Sequence, residues 1–137
     1  MSASAGYSGT PLVRKLGFKP AMRVHYAGAP DGFEALLGEL PDGVRVLARP
    51  APELDLAMLF VRERRELERR LPALQAKLAS AGMIWVAWPK RASKVATDIT
   101  EDVVRDVALP RGLVDVKVCA IDETWSGLKL VTRLEHR

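Results

Sequence analysis

Two short segments gather residue types suited to holding an anion. The first, Gly28-Ala29-Pro30-Asp31-Gly32, sets two glycines after an apolar run. Glycine lets the backbone approach a ligand closely, and a helix capped by Asp31 would offer its free N–H groups to a phosphate or carboxylate. The second, Lys90-Arg91-Ala92-Ser93-Lys94, is a basic loop after another apolar run, and Arg62 closes a third run. Positive charge concentrated in a cleft favours anionic ligands. The candidate ligand-binding set is therefore Gly28, Asp31, Gly32, Arg62, Lys90, Ser93 and Lys94. The competing account is structural: the glycines turn the chain and the basic loop is solvated.

Catalytic chemistry finds fewer footholds. His25 and His136 are the only histidines, and no His, Cys and acidic residues recur at metal-ligand spacing, so no metal site is expected. Cys119 is the sole cysteine, which excludes an internal disulfide and fits a reducing cytoplasm. It reads as a buried, inert thiol. Ser8, Ser93 and Ser126 lack the context of a nucleophile elbow. Asp98, Glu101 and Asp102 are candidate acids or bases, but capping a helix explains them more simply. No catalytic residue is assigned. Trp85 and Trp88 read as core, whereas Trp125, in a polar hairpin loop, either faces a partner or plugs the hairpin end.

The elements that must position these groups follow from periodicity. Met22–Ala27 and Val44–Ala48 read as short strands, and a helix from Asp31 to about Leu37 lies between them. Leu54–Val61 is almost wholly apolar, as a strand covered on both faces must be. Leu67, Leu71, Leu74 and Leu78 then follow a helical period, interrupted by Pro72, which predicts two short helices or one kinked helix. Gly82 ends that unit and Met83–Trp88 is the next buried strand, completing a parallel βαβ unit. Thr97 or Thr100 caps a helix whose apolar side is Val103, Val104 and Val107. Leu113–Ile121 and Leu128–Leu134 alternate, with Val114, Val116, Val118 and Ala120 sharing one face, and form an antiparallel hairpin. A short amphipathic helix over Pro11–Phe18 precedes all of this, and residues 1–10 read as a flexible arm.

Composition sets the outer bounds. A chain of 137 residues fits one domain, with roughly two-thirds of its unfolded surface buried on folding. The formal net charge of +4 is mild, and nucleic acid is not expected as a partner. No apolar run approaches the ~20 residues of a membrane span, and the N-terminus lacks a signal-peptide core, so a cytoplasmic protein without membrane association is expected.

The order strand, helix, strand, helix, strand, antiparallel strand from residue 54 onward resembles the C-terminal half of class I methyltransferases. Ala81-Gly82-Met83-Ile84-Trp85-Val86-Ala87-Trp88-Pro89-Lys90 looks like their glycine-then-strand element. Over nearly its full length the chain also resembles a bacterial family of unknown function, through Gly6-Tyr7-Ser8-Gly9-Thr10-Pro11-Leu12, Trp88-Pro89-Lys90, Thr97–Asp102 and Asp122–Leu128. The resemblance implies a reduced, Rossmann-like methyltransferase fold: a mainly parallel sheet of about six strands, helices on both faces and a C-terminal antiparallel hairpin. It departs from the methyltransferase pattern where S-adenosylmethionine is held. The loop after the first strand carries two glycines and a proline, and Arg49 stands near the place of the usual ribose-binding carboxylate. The function expected is a non-catalytic binding or regulatory domain for a small anionic ligand, or a protein partner, at the point where strand order reverses. The alternative is a divergent enzyme that uses S-adenosylmethionine or a nucleotide.

Overall fold

The computed structural model describes residues 9–137, so the expected arm lies outside the described residues except for Gly9 and Thr10. In chain order the elements are α1 (Leu12–Lys15), β1 (Arg23–Ala27), α2 (Phe33–Leu37), β2 (Arg45–Leu47), β3 (Leu54–Phe60), α3 (Arg64–Gln75), β4 (Leu78–Pro89), α4 (Glu101–Ala108), β5 (Leu113–Ala120) and β6 (Trp125–Thr132). The strands form one sheet in the order β2-β1-β3-β4-β6-β5. β2, β1, β3 and β4 run parallel, and β6 pairs antiparallel with both β4 and β5. This is the expected fold class, with the hairpin closing one end of the sheet. Among the described residues no helix is long and apolar enough to cross a membrane.

Two apolar layers flank the sheet. Leu67, Leu71 and Leu74 of α3 and Val104, Val107 and Ala108 of α4 pack with Leu59, Ile84, Val86 and Leu128 on one face. On the other, Leu16 beside α1 and Phe33 and Leu37 of α2 pack with Met58, Phe60 and Trp85. The continuous apolar sequence of β3 and β4 follows from this: both faces of a central parallel strand are covered. Trp85 adds a directional tie, its indole N–H donating to the Leu16 carbonyl at 2.8 Å.

Several local expectations are corrected. Asp31 does not cap α2; Gly32 does, at φ 88°, with no side-chain hydrogen bond. Of the two readings across Pro72 the helix is a single one, α3, but Leu78 lies beyond it as the first residue of β4. Gly82 lies within β4, where a Cβ would stand 2.6 Å from the Leu54 carbonyl oxygen. The pairing of β3 with β4 shifts register here, so glycine serves a close strand approach instead of a turn. Val116 and Val118 are exposed on β5, the outer strand, while Leu113 and Cys119 carry the buried contacts. Trp125 is buried as the first residue of β6, the plug of the two readings.

Candidate functional site

Strand order reverses between β1 and β3, so the carboxyl ends of these strands should open a cleft. Here the strand ends themselves are packed by the chain. Gly28, at φ 70°, lies so close to β3 that a Cβ would stand 2.8 Å from the Phe60 carbonyl oxygen. Next to it a run of edge-to-face rings crosses the strand ends. Tyr26 and Phe33 are 5.2 Å apart, Phe33 and Phe60 5.0 Å, and Phe60 and Trp125 5.1 Å. The Arg62 guanidinium caps the run at 5.9 Å from the centre of the Trp125 ring. Two openings flank the rings: a cavity of 120 Å³ lined in part by Asp31, Gly32, Phe60 and Trp125, and a shallow groove of 560 Å³ along the loop after β1, lined in part by Tyr26, Pro30, Asp31 and Glu34. The Tyr26 hydroxyl is buried without a hydrogen-bond partner among the described residues, and burial and then the Glu34 charge push it up to about 12.

Another opening of similar size lies further along the sheet. A groove of 510 Å³ runs between the end of β4, the start of β6 and the approach to α4. Trp88 and Ile99 give it an apolar floor, Lys90, Arg91 and Lys94 supply positive charge, and Thr97, Thr100 and Ser126 bring hydroxyls. Local hydrogen bonds shape it. The Ser93 hydroxyl donates to the Lys90 carbonyl at 2.7 Å and accepts from the Val95 N–H at 3.2 Å, which holds the basic turn. Lys94 sits at φ 63° as that turn closes. The Lys90 N–H donates to the Thr124 carbonyl at 2.8 Å, tying the turn to the hairpin loop. That loop is itself formed by the Asp122 carboxylate, which accepts from the N–H groups of Thr124 and Trp125, both at 2.8 Å.

The far wall is stitched to the start of α3. The Thr97 hydroxyl donates to the Arg62 carbonyl at 2.6 Å, and the Asp98 carboxylate accepts from the Arg64 N–H at 2.6 Å. Asp98 therefore serves the N-terminus of α3, and Thr100 caps α4 by accepting from the Val103 N–H at 3.2 Å. Glu101, the one acid in the groove lining, is paired with Arg105, which also binds Asp102 and Asp115. Among the described residues no ion pair engages Lys90, Arg91 or Lys94. The groove is consequently positive.

The seven candidate residues thus do not converge on one cleft. Lys90 and Lys94 line the groove after β4, Asp31 and Gly32 line both the small cavity and the opening beside the loop after β1, and Gly28 is packed against backbone. Arg62 stands over Trp125, whose neighbour Ser126 reaches the groove, and Ser93 holds the turn from within. The sequence reading missed Thr97, Thr100 and Ser126 as lining residues, and left Arg91 out of the candidate set although it placed the basic loop at the cleft. Arg91 carried a signal, since it sits inside the basic run. The two threonines read only as helix caps, and nothing local to Ser126 shows that it faces the groove.

The fold implies a test for S-adenosylmethionine. The loop after β1 packs its Gly28 backbone against β3 and carries a proline, and β2 is followed by Ala48 and Arg49, with no carboxylate for ribose hydroxyls. The residues present do not fit that cofactor in the usual place.

No protein-family model matches the chain, and no curated protein matches it significantly. Solved structures do. The chain is similar to a ribosomal protein L11 methylase from Lactobacillus delbrueckii subsp. bulgaricus, with a TM-score of 0.60 at 11% identity, covering 89% of this chain and 75% of that one. It is similar to the N-methyltransferase NodS from Bradyrhizobium japonicum WM9, with a TM-score of 0.57 at 13% identity over 89% and 92% of the two chains. A SAM dependent methyltransferase from Aquifex aeolicus gives a TM-score of 0.56 at 15% identity over 87% and 86%. At such identities the likeness speaks to architecture alone: the chain has a class I methyltransferase-like Rossmann fold.

Proposed function

We propose that this chain is a non-catalytic binding domain which uses a methyltransferase-like scaffold to hold a small, phosphate-bearing ligand in the groove after β4. The observation that carries the reading is the trio Lys90, Arg91 and Lys94 on the wall of a groove with an apolar floor and without an opposing free carboxylate. Lysine and arginine supply charge-assisted hydrogen bonds to phosphate, and the floor of Trp88 and Ile99 suits a ring or short apolar group attached to it. No histidine or cysteine lines the groove, and its one acid is already paired with Arg105.

Calorimetry with AMP, glucose 6-phosphate and adenosine tests the proposal. The two phosphates should bind the wild-type chain and adenosine should not. A charge-assisted hydrogen bond contributes about 1.5–3 kcal/mol, so Lys90→Ala with Lys94→Ala should weaken phosphate binding at least about tenfold. Unchanged affinity in the double variant would sink the groove assignment.

A second reading, a divergent S-adenosylmethionine-dependent enzyme, draws support from the methyltransferase structures that share the fold. Binding of S-adenosylmethionine that survives the Lys90/Lys94 double substitution would favour it over the first.

A further inference from the structure

The β5 edge presents an arrangement unrelated to the groove. β5 is the outermost strand at the hairpin end, so among the described residues one side of its backbone has no neighbouring strand in the sheet. The register shifts between Asp115 and Lys117, around Val116, and beyond it Lys117–Ala120 pair regularly with β6. Lys117 lies directly opposite Lys129, and Lys129 in turn lies opposite Trp85, which places both lysines on the face covered by α1 and α2. Like charges directly opposed weaken a sheet. Burial, then the charges of Lys117 and Lys19, push the Lys129 ammonium below its ordinary range. Among the described residues no ion pair engages Lys19, Lys117 or Lys129. On the opposite face Val118 pairs with buried Leu128, yet is itself 46% exposed.

The open edge therefore alternates: positive charge on one face, an exposed apolar side chain on the other. Strand addition draws affinity from main-chain hydrogen bonds and specificity from alternate side chains. We propose that the β5 edge docks an acidic extended segment of a partner protein, which adds as a further strand beside Lys117–Ala120. Its carboxylates would meet Lys117, with Lys129 one strand behind it adding to the positive field, and its apolar residues would meet Val118. Nucleic acid fits this surface less well. The row holds lysines with no arginine fork, and Trp85, Trp88 and Trp125 are all buried, which leaves no tryptophan as a stacking platform.

The test is fluorescence anisotropy with a labelled ten-residue peptide alternating glutamate and valine, a matching lysine–valine peptide, and single-stranded oligothymidine. The acidic peptide should bind, the basic one should not, and Lys117→Glu should weaken binding at least tenfold while Lys117→Arg retains it. Far-ultraviolet circular dichroism checks that each variant is folded, and a Val118→Lys variant probes the same edge from its other face and should also weaken binding. Peptide should slow amide exchange at residues 117–120. The proposal is overturned by three outcomes: no peptide binding by the wild type, equal binding by folded Lys117→Glu, or no exchange protection at the edge. Oligothymidine binding tighter than the peptide, and lost in Lys117→Glu, would assign the surface to nucleic acid and overturn it as well.

Discussion

Gly28 shows how one residue decides what the switch point can hold. Its positive φ and the 2.8 Å approach of a hypothetical Cβ to the Phe60 carbonyl oxygen leave no side chain that fits there. A glycine in the loop after the first strand suggests phosphate or cofactor contact on sequence grounds, yet this one is required by chain-to-chain packing. Gly28→Ala should destabilise the fold by about 1–3 kcal/mol from backbone strain, with the contact adding to it. Urea denaturation reads the change, and an unshifted midpoint would show that β1 and β3 separate easily at their ends. Gly32 shares the positive φ but meets nothing within 4 Å, so the two glycines of the loop are not equivalent. Sequence alone cannot distinguish them, because the neighbour that matters at Gly28 lies on another strand.

At the scale of elements, α3 shows a rule outweighed by packing. Pro72 lacks the N–H that would reach the Glu68 carbonyl, and an interior proline costs about 3 kcal/mol. The helix nevertheless continues from Arg64 to Gln75, because Leu67, Leu71 and Leu74 are all buried against the sheet on one stripe. Pro72→Ala should therefore raise stability, by about 1–3 kcal/mol, as the missing hydrogen bond is restored. Chemical denaturation measures it, and a loss of stability would mean that the half-buried ring makes contacts worth more than that bond. The helical period was legible in the sequence up to Leu74. Leu78 continued the spacing by coincidence, and no local signal marks it as the start of β4. The β5 strand erred in the same way. Its alternation was plain, but the register shift near Val116 and the strand's place at the sheet edge left Val116 and Val118 exposed.

Across the whole molecule, Arg105 joins α4 to the far strand of the sheet. Its guanidinium binds Glu101 and Asp102 on its own helix and reaches Asp115 of β5 at 3.0 Å. The hydrogen bond from Arg105 holds the Asp115 carboxyl below its ordinary value. A carboxyl whose pKa is lower in the folded state stabilises the fold above its unfolded pKa, about 3.9, and loses that contribution as pH falls through the folded value. Thermal midpoints of the wild type and Asp115→Asn should therefore differ by a constant amount above about pH 5 and converge as pH falls below about 4. A gap that persists at the lowest pH would assign the difference to packing instead of charge.

The sequence by itself determined the class of fold. The apolar runs of β3 and β4, the charged helix between them and the alternating hairpin leave a parallel sheet with a reversed end as the arrangement that buries them. These are local patterns, set by whether a segment meets core on one face or two. The positively charged loop at residues 90–94 was also legible, since charge is carried by residue type. Tertiary structure alone decided where an opening exists. It packed the strand ends at the switch point with Gly28 against Phe60 and a run of aromatic rings, and left an opening beside the loop after β1. It opened the groove by drawing Thr97 and Asp98 under the start of α3, through bonds that span more than thirty residues of chain. Empty space is a relation among segments distant in sequence, so no one segment encodes it.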